Sequence, residues 1–344
     1  MKRLGAWLGA FLSVTVLLST ACGQHIEGAA TVGSRSGDPA FFFAGGVPVY
    51  GQTVSKNDES ALAYLRAMRR IDVCGFADRQ SLAKIGEISS LGTLYAFNEC
   101  DVEIKMPGDP TSKFVSVELV LGRTEGPPAF RVGGTPIYET ADESCEYEMP
   151  LDLSHLPGAT RLRKPDQPYL RVGVIGAPDC ALTKKLVGAI AERVSAGPLP
   201  PRDAAAVYPT PLAERDPCEV LASLSRDVDH WDVNRTRPYE CEFSIWRDGY
   251  PEVLSIRVAL EPKIVDITTD DKDHRVTGGT DVYLDQTFCS AVAFVGPAMQ
   301  RRLAGGDFVD VANVVARPAV VVDGGDTGCD AAVEIAAIAA KLYT

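Results

Sequence analysis

The chain has 344 residues, nine cysteines, four histidines and a formal net charge of −12. An acidic chain without a basic stripe argues against nucleic acid as a partner and against electrostatic docking on a membrane. The length is sufficient for two domains of ordinary size.

Residues 1–21 have the features of a secretory signal peptide. A basic "MKR" start precedes an uncharged apolar run over residues 4–18, which is too short for a comfortable membrane span. The run ends in "LSTAC", which resembles the lipobox of bacterial lipoproteins, although Ser19 stands where leucine is usual. We predict that Cys22 is lipidated by a diacylglyceryl group and a further acyl chain such as palmitate, which would anchor the protein to the extracytoplasmic face of the cell membrane. The alternative is an ordinary secretory signal cut near Ala21.

Two segments read as connections rather than domains. Residues 22–48 are rich in Gly, Ala and Ser and lack helical or strand periodicity, which predicts a flexible tether. Its aromatic triplet Phe41-Phe42-Phe43 is the exception, and we expect it to pack onto the first domain. The proline-rich residues 195–211 predict a semi-rigid linker. The predicted division is a signal peptide over 1–21, a tether over 22–48, a first domain over 49–194, a linker over 195–211 and a second domain over 212–344.

Five blocks of sequence recur in the same order in the two predicted domains. "RIDVCGF" matches "RDPCEV", "NECDVEI" matches "YECEFSI", and "FVSVELVLG" matches "VLSIRVALE". "RVGGTPIY" matches "RVTGGTDVY", and "APDCALTKKLVGAIAERV" matches "DTGCDAAVEIAAIAAKLY". The blocks predict a tandem repeat of about 145 residues, each copy being a whole domain because the period is too long for a solenoid.

Each copy reads as a mixture of strands and helices. Val115, Val117 and Leu119 alternate with other residues, as expected for a half-buried strand. The same alternation extends from Cys145 through Tyr147 in the first copy. The last block of each copy has the broad apolar side of an amphipathic helix.

The eight cysteines after Cys22 indicate disulfides, because an even number in an exported chain is typical of an oxidising compartment. Four cysteines per copy allow three pairings. We choose the pairing in which each bridge joins a helix end to a core strand. The predicted bridges are Cys74–Cys100, Cys145–Cys180, Cys218–Cys241 and Cys289–Cys329. Metal binding is the weaker alternative, because the chain has no Cys-x-x-Cys pair and no nearby histidine.

The sequence "RDPCEVLASL", with four cysteines per domain behind a lipobox, resembles an actinobacterial lipoprotein family of unknown function that carries an Asp-Pro-Cys signature. The first copy departs from this signature, with Val73 in place of proline. The arrangement is also similar to the extracellular sensor domain of mycobacterial PknH-type kinases. The resemblance implies an α+β fold in which each domain is an antiparallel sheet with packed helices, and it implies no established activity.

No local catalytic motif stands out, and we expect no cofactor and no metal. Several aromatic residues lie in one region of the second copy, where core packing and a ligand cleft are both possible. These residues are Trp231, Tyr239, Trp246 and Tyr250. We predict a non-catalytic binding module for an envelope lipid, glycan or protein. The alternatives are a hydrolase that uses dispersed carboxylates and an accessory subunit of an envelope complex.

Overall fold

The computed structural model describes most of the chain from residue 38 onwards. The described residues are 38–93, 95–109, 111–122, 126–140, 145–160, 167–176, 178–202, 211–224, 227–246, 253–270, 272–299, 301–302, 308–309, 315–325 and 328–344. The predicted signal peptide, Cys22, residues 203–210 of the predicted linker and Tyr250 lie outside these ranges.

The first half of the chain contains seven strands and three α-helices among its described residues. They are α1 (Lys56–Arg69), α2 (Arg79–Leu82), β1 (Glu87–Gly92), β2 (Glu99–Lys105), β3 (Ser112–Gly122), β4 (Phe130–Val132), β5 (Thr135–Glu139), β6 (Tyr147–Pro150), β7 (Gln167–Ile175) and α3 (Cys180–Ala196). Helix α1 begins with a capping box, in which the Ser55 and Asp58 side chains each bond the other's backbone N–H.

The described residues of the second half contain nine strands and three α-helices. They are α4 (Val220–Ser223), β8 (Val228–Trp231), β9 (Glu240–Ile245), β10 (Leu254–Ile264), α5 (Val265–Thr269), β11 (Asp273–Thr277), β12 (Thr280–Asp285), β13 (Ser290–Phe294), β14 (Arg301–Arg302), β15 (Phe308–Val309), β16 (Ala316–Asp323) and α6 (Cys329–Tyr343).

Each half forms one seven-stranded antiparallel sheet, which we call the first sheet and the second sheet. The strand order is β1-β2-β3-β7-β6-β5-β4 in the first sheet and β8-β9-β10-β16-β13-β12-β11 in the second. Strands β14 and β15 pair only with each other and are not part of either sheet. When the remaining seven strands of each half are numbered from one to seven along the chain, both sheets have the order 1-2-3-7-6-5-4. The predicted α+β class with antiparallel sheets is confirmed.

Each sheet packs one face against the long helix that follows it. In β3, Val115, Val117 and Leu119 are buried while Ser116 and Glu118 are half-buried, which is the predicted period of two. Helix α3 contacts β6 and β7 on this buried side, and helix α6 contacts β12, β13 and β16 in the second half. We call the opposite side of each sheet its outer face.

Four disulfides connect the eight described cysteines. They join Cys74 to Cys100, Cys145 to Cys180, Cys218 to Cys241 and Cys289 to Cys329, which are the pairs predicted from the sequence. Cys180 and Cys329 are the first residues of α3 and α6. The other two bridges join the short 3-10 helices at Cys74 and Cys218 to Cys100 on β2 and Cys241 on β9.

One expectation about these cysteines was wrong in detail. Cys145 does not continue the alternation of β6, which begins only at Tyr147. Its φ is 56°, and the φ of Cys289 is 47°, so both residues lie in the left-handed region that breaks a strand. The two halves share this unusual backbone at matching positions, two residues before β6 and directly before β13.

The two halves also share a hairpin turn. Gly133-Gly134 joins β4 to β5, and Gly278-Gly279 joins β11 to β12. All four glycines have positive φ. Two consecutive positive φ values match the twist of antiparallel strands and are what a two-residue hairpin of this type requires.

The segment before α1 packs onto the first half, as expected for its aromatic triplet. Residues Pro39–Phe43 form a 3-10 helix in which Phe42 is buried. The Phe43 ring lies 5.3 Å from that of Tyr64 on α1. The start of the predicted linker is also docked, since the Asp72 N–H donates to the Pro200 carbonyl at 2.8 Å.

Candidate functional site

A cleft of about 840 Å³ lies over the outer face of the second sheet. Strands β10, β12, β13 and β16 supply its base through outward-pointing residues that include Glu261, Tyr283, Val292 and Asp323. Tyr95 comes from the loop between β1 and β2, so the first half contributes to one wall. This volume lies in the range of small-molecule sites in proteins.

The base of the cleft is mixed, with Val292 and Tyr283 beside the charged Glu261 and Asp323. Val292 belongs to a small buried cluster on the outer face, which also contains Ala259, Ala319 and Val321. Such a face of an antiparallel sheet is commonly polar and solvated when a helix covers only the other side. The outer face of the second sheet departs from that pattern only in the small cluster around Val292, because Glu261 and Asp323 lie beside it in the cleft.

Aromatic side chains line the cleft with much of their surface exposed. Tyr95 is 50% exposed and Phe288 is 70% exposed, which is unusual for rings of this size in a folded domain. Tyr283 is half-buried and stacks on His274, with 5.0 Å between ring centroids. These rings present flat apolar surface to whatever enters the cleft.

The charged side chains of the cleft are all ion-paired. Lys263 Nζ lies 2.8 Å from Glu261 Oε1, and Lys272 Nζ lies 2.5 Å from Asp285 Oδ2. Asp323 pairs with Arg257 on the neighbouring strand. The hydrogen bond from Lys272 lowers the pKa of Asp285. We call these charged lining residues the rim of the cleft. Each of them already has an opposite charge beside it.

The first sheet carries very different chemistry at the matching outer-face positions. Residues that pair side by side on neighbouring strands form a row across each sheet. One such row crosses β2, β3, β7 and β6 at Glu99, Glu118, Arg171 and Glu148. The matching row crosses β9, β10, β16 and β13 at Glu240, Ala259, Val321 and Val292. Each row starts at the residue before a bridged cysteine. Three charged residues of the first row thus lie where the second row has small or apolar ones, and of these Val292 lines the cleft.

The charged row of the first sheet is held together by Arg171. Its Nε and Nη2 donate to Glu148 Oε1 at 2.9 and 2.8 Å, and its Nη1 lies 3.5 Å from Glu118 Oε2. Burial raises the pKa of Glu118 to about 7 and also raises the pKa of Glu99. This group is capable of holding a proton near neutral pH, but its carboxylates do not line the cleft over the second sheet.

The aromatic residues singled out from the sequence lie elsewhere. Trp231 is buried, with Nε1 donating to Thr236 Oγ1 at 3.3 Å. Tyr239 is also buried, and its hydroxyl donates to the Ala213 carbonyl at 2.9 Å. Both therefore fit the core-packing interpretation. Trp246 is 53% exposed but does not line the cleft, and Tyr250 lies outside the described residues.

Sequence analysis missed the residues that do line the cleft. Tyr95, Tyr283 and Phe288 are widely separated along the chain and belong to no local motif. The comparison of the two copies does not point to them either. In the matched blocks "FVSVELVLG" and "VLSIRVALE", Glu118 aligns with Arg257, so the sequence keeps a charge there. Only the strand register brings Glu118 and Arg171 to the places of Ala259 and Val321.

The described ranges contain neither a metal-binding cluster nor a membrane-spanning helix. There, no group of three or more His, Cys, Asp or Glu side chains is arranged to hold a metal ion. No helix in the same ranges has the length and apolar character needed to cross a bilayer. The predicted lipidation site, Cys22, lies outside them.

Comparison with protein-family models, curated proteins and solved structures found no match to this chain. The resemblance to actinobacterial lipoproteins therefore remains a prediction based on short motifs.

Proposed function

We propose that this protein is a lipid-anchored, extracytoplasmic binding protein whose ligand occupies the cleft over the second sheet. The observation that carries the proposal is a cleft of about 840 Å³ that combines exposed aromatic walls and the apolar Val292 with charged side chains that are already ion-paired. Ligand sites typically combine mostly apolar lining with a few polar groups in this way. An accessory subunit would instead predict an exposed apolar patch without a cavity.

The anchor and the location are supported by chemistry outside the cleft. Eight cysteines form four disulfides, an arrangement that persists in oxidising compartments. The lipobox-like "LSTAC" ending at Cys22 supports a covalent anchor. A tether that leads from the anchor to a disulfide-linked fold suits a protein that presents a binding site at the envelope surface.

We further propose that the two halves are homologous tandem domains that have diverged in role. Identical strand order, matching disulfides and left-handed backbone at both Cys145 and Cys289 support a duplication. In the first copy, Glu118, Arg171 and Glu148 keep the outer face charged. The second copy, whose outer face carries the cleft, would be the ligand-binding one.

Native mass spectrometry of the protein purified from its own membrane tests this proposal. We expect a reproducible extra mass that is released on denaturation. Ser290→Trp places a large side chain in the cleft and should abolish the extra mass. Ser112→Trp on β3, which does not line the cleft, is the matched control. A bare polypeptide mass for the wild-type protein, or an extra mass that survives Ser290→Trp, would contradict the proposal.

A further inference from the structure

We propose that the cleft takes an uncharged, polyhydroxylated ring compound, that is, a neutral oligosaccharide, in preference to a lipid or an anionic ligand. This inference rests on the proposed function and assigns the ligand class of the same site. Three features of the lining support it: its paired charges, its exposed rings and its polar rim.

The paired charges disfavour a charged ligand. The charged lining residues Glu261, Lys263, Lys272, Asp285 and Asp323 each have an opposite charge within ion-pair distance. To gain a cationic partner, an anionic ligand would have to break the Lys272–Asp285 or the Lys263–Glu261 pair. Without breaking one, its negative charge would lie close to the carboxylates of the cleft and have no cation of its own. Both routes are unfavourable, so charge selects for a neutral ligand.

The exposed rings suit the apolar faces of sugar rings. A pyranose presents a flat array of C–H groups on one side, and such a surface packs well against an aromatic face. Tyr95 and Phe288 stand on the walls with at least half of their surface exposed. Tyr283 is held in orientation by His274 and by Phe294, whose ring centroid is 5.9 Å away.

The polar rim suits hydroxyl groups and disfavours a hydrocarbon chain. Carboxylate oxygens of Glu261, Asp285 and Asp323 accept hydrogen bonds, and Ser290 and Thr268 add hydroxyl groups to the lining. Hydrogen bonds to charged groups are stronger than those between neutral ones. A lipid chain would desolvate these polar groups without replacing their hydrogen bonds, which is costly. Sugar hydroxyls would satisfy them.

Isothermal titration calorimetry of the full-length protein separates these ligand classes. The probes are neutral hexasaccharides of glucose and of mannose, an anionic hexagalacturonate of equal length, and a long-chain fatty acid. We expect a neutral hexasaccharide to bind and hexagalacturonate to bind at least about tenfold more weakly. Phe288→Ala should weaken the neutral ligand by about tenfold, because one aromatic contact is lost. Phe114→Ala is the matched control, since Phe114 is 44% exposed on the outer face of the first sheet.

The outcomes distinguish this inference from the proposed function. Tighter binding of hexagalacturonate or fatty acid, with loss on Phe288→Ala, would overturn the ligand class and leave the cleft as the binding site. Failure of both neutral hexasaccharides to bind at millimolar concentration would also overturn the ligand class. The native mass measurement then decides separately whether the cleft holds any ligand.

Discussion

Arg69 and Asp216 lie 147 positions apart in the chain, yet their side chains form an ion pair between the two halves. Arg69 Nη2 is 2.5 Å from Asp216 Oδ2, and the side chains are only 8% and 16% exposed. The other carboxylate oxygen of Asp216 accepts the Cys218 N–H at 3.0 Å. The aspartate of "DPC" therefore caps the 3-10 helix Pro217–Glu219 and also links the second half to helix α1.

Removal of Arg69 should destabilise the whole fold. Arg69→Met leaves the Asp216 carboxylate buried without its counter-charge, and such a loss costs about 3–5 kcal/mol. Urea unfolding measures this as a fall in the free energy of unfolding. Arg131→Met, at an exposed position on β4, is the control and should change stability by less than about 0.5 kcal/mol. A similar, small effect of both substitutions would show that the pair contributes little to holding the halves together.

Asp72, which occupies the matching place in the first half, should make stability depend on pH. Burial raises its pKa from 3.8 to about 6, and the nearby Arg202 offsets this only in part. The folded state therefore binds more protons than the unfolded state between about pH 4 and pH 6, so stability falls as the pH rises through this window. Asp72→Asn keeps an oxygen acceptor for the Cys74 N–H but does not titrate.

Urea unfolding from pH 4 to pH 7 tests this expectation. The fall in the free energy of unfolding should be smaller in Asp72→Asn than in the wild type by up to about 3 kcal/mol. Asp152→Asn, at an exposed position, should leave the profile unchanged. Parallel profiles for the wild type and Asp72→Asn would refute a raised pKa at this carboxyl.

The four disulfides should be reduced in a defined order. Both cysteines of Cys74–Cys100 and of Cys218–Cys241 are buried, whereas Cys180 is exposed and Cys329 half-exposed. Thiol attack needs access to sulfur, so limited dithiothreitol should open the bridges at the helix starts first. Differential alkylation and peptide mapping measure the order. Early labelling of Cys100 or Cys241, or any bridge between the two halves, would contradict this prediction.

Cys22→Ala should release the protein from the membrane. A lipidated cysteine carries the acyl chains that give stable anchoring, and alanine cannot accept them. Fractionation followed by immunoblotting should find the variant in the soluble fraction with its signal peptide cleaved. Ser34→Ala, later in the predicted tether, is the control and should remain in the membrane fraction. A cleaved Cys22→Ala protein that stays in that fraction would exclude the lipid anchor.

The local architecture was predictable from the amino-acid sequence because it depends on short-range patterns. Val115, Val117 and Leu119 alternate with polar residues, and this alternation alone defines which face of β3 is buried. Recurrence of the same blocks around each cysteine indicated that both halves have the same elements. The disulfide pairing was a choice among three for each copy, and the structure has the chosen pairs.

The candidate site, in contrast, was decided by tertiary structure. Tyr95 reaches the cleft from the first half, while Tyr283 and Phe288 come from the second. The three side chains line one cleft only because of the way the two halves pack. Trp231 and Tyr239, for which the sequence favoured core packing and left a ligand cleft as the alternative, are buried in the core. Periodicity determines which way a side chain faces from its own strand, because that is set by the residue's neighbours in the chain. What lies opposite that face depends on contacts between distant residues, and only the folded chain brings those together.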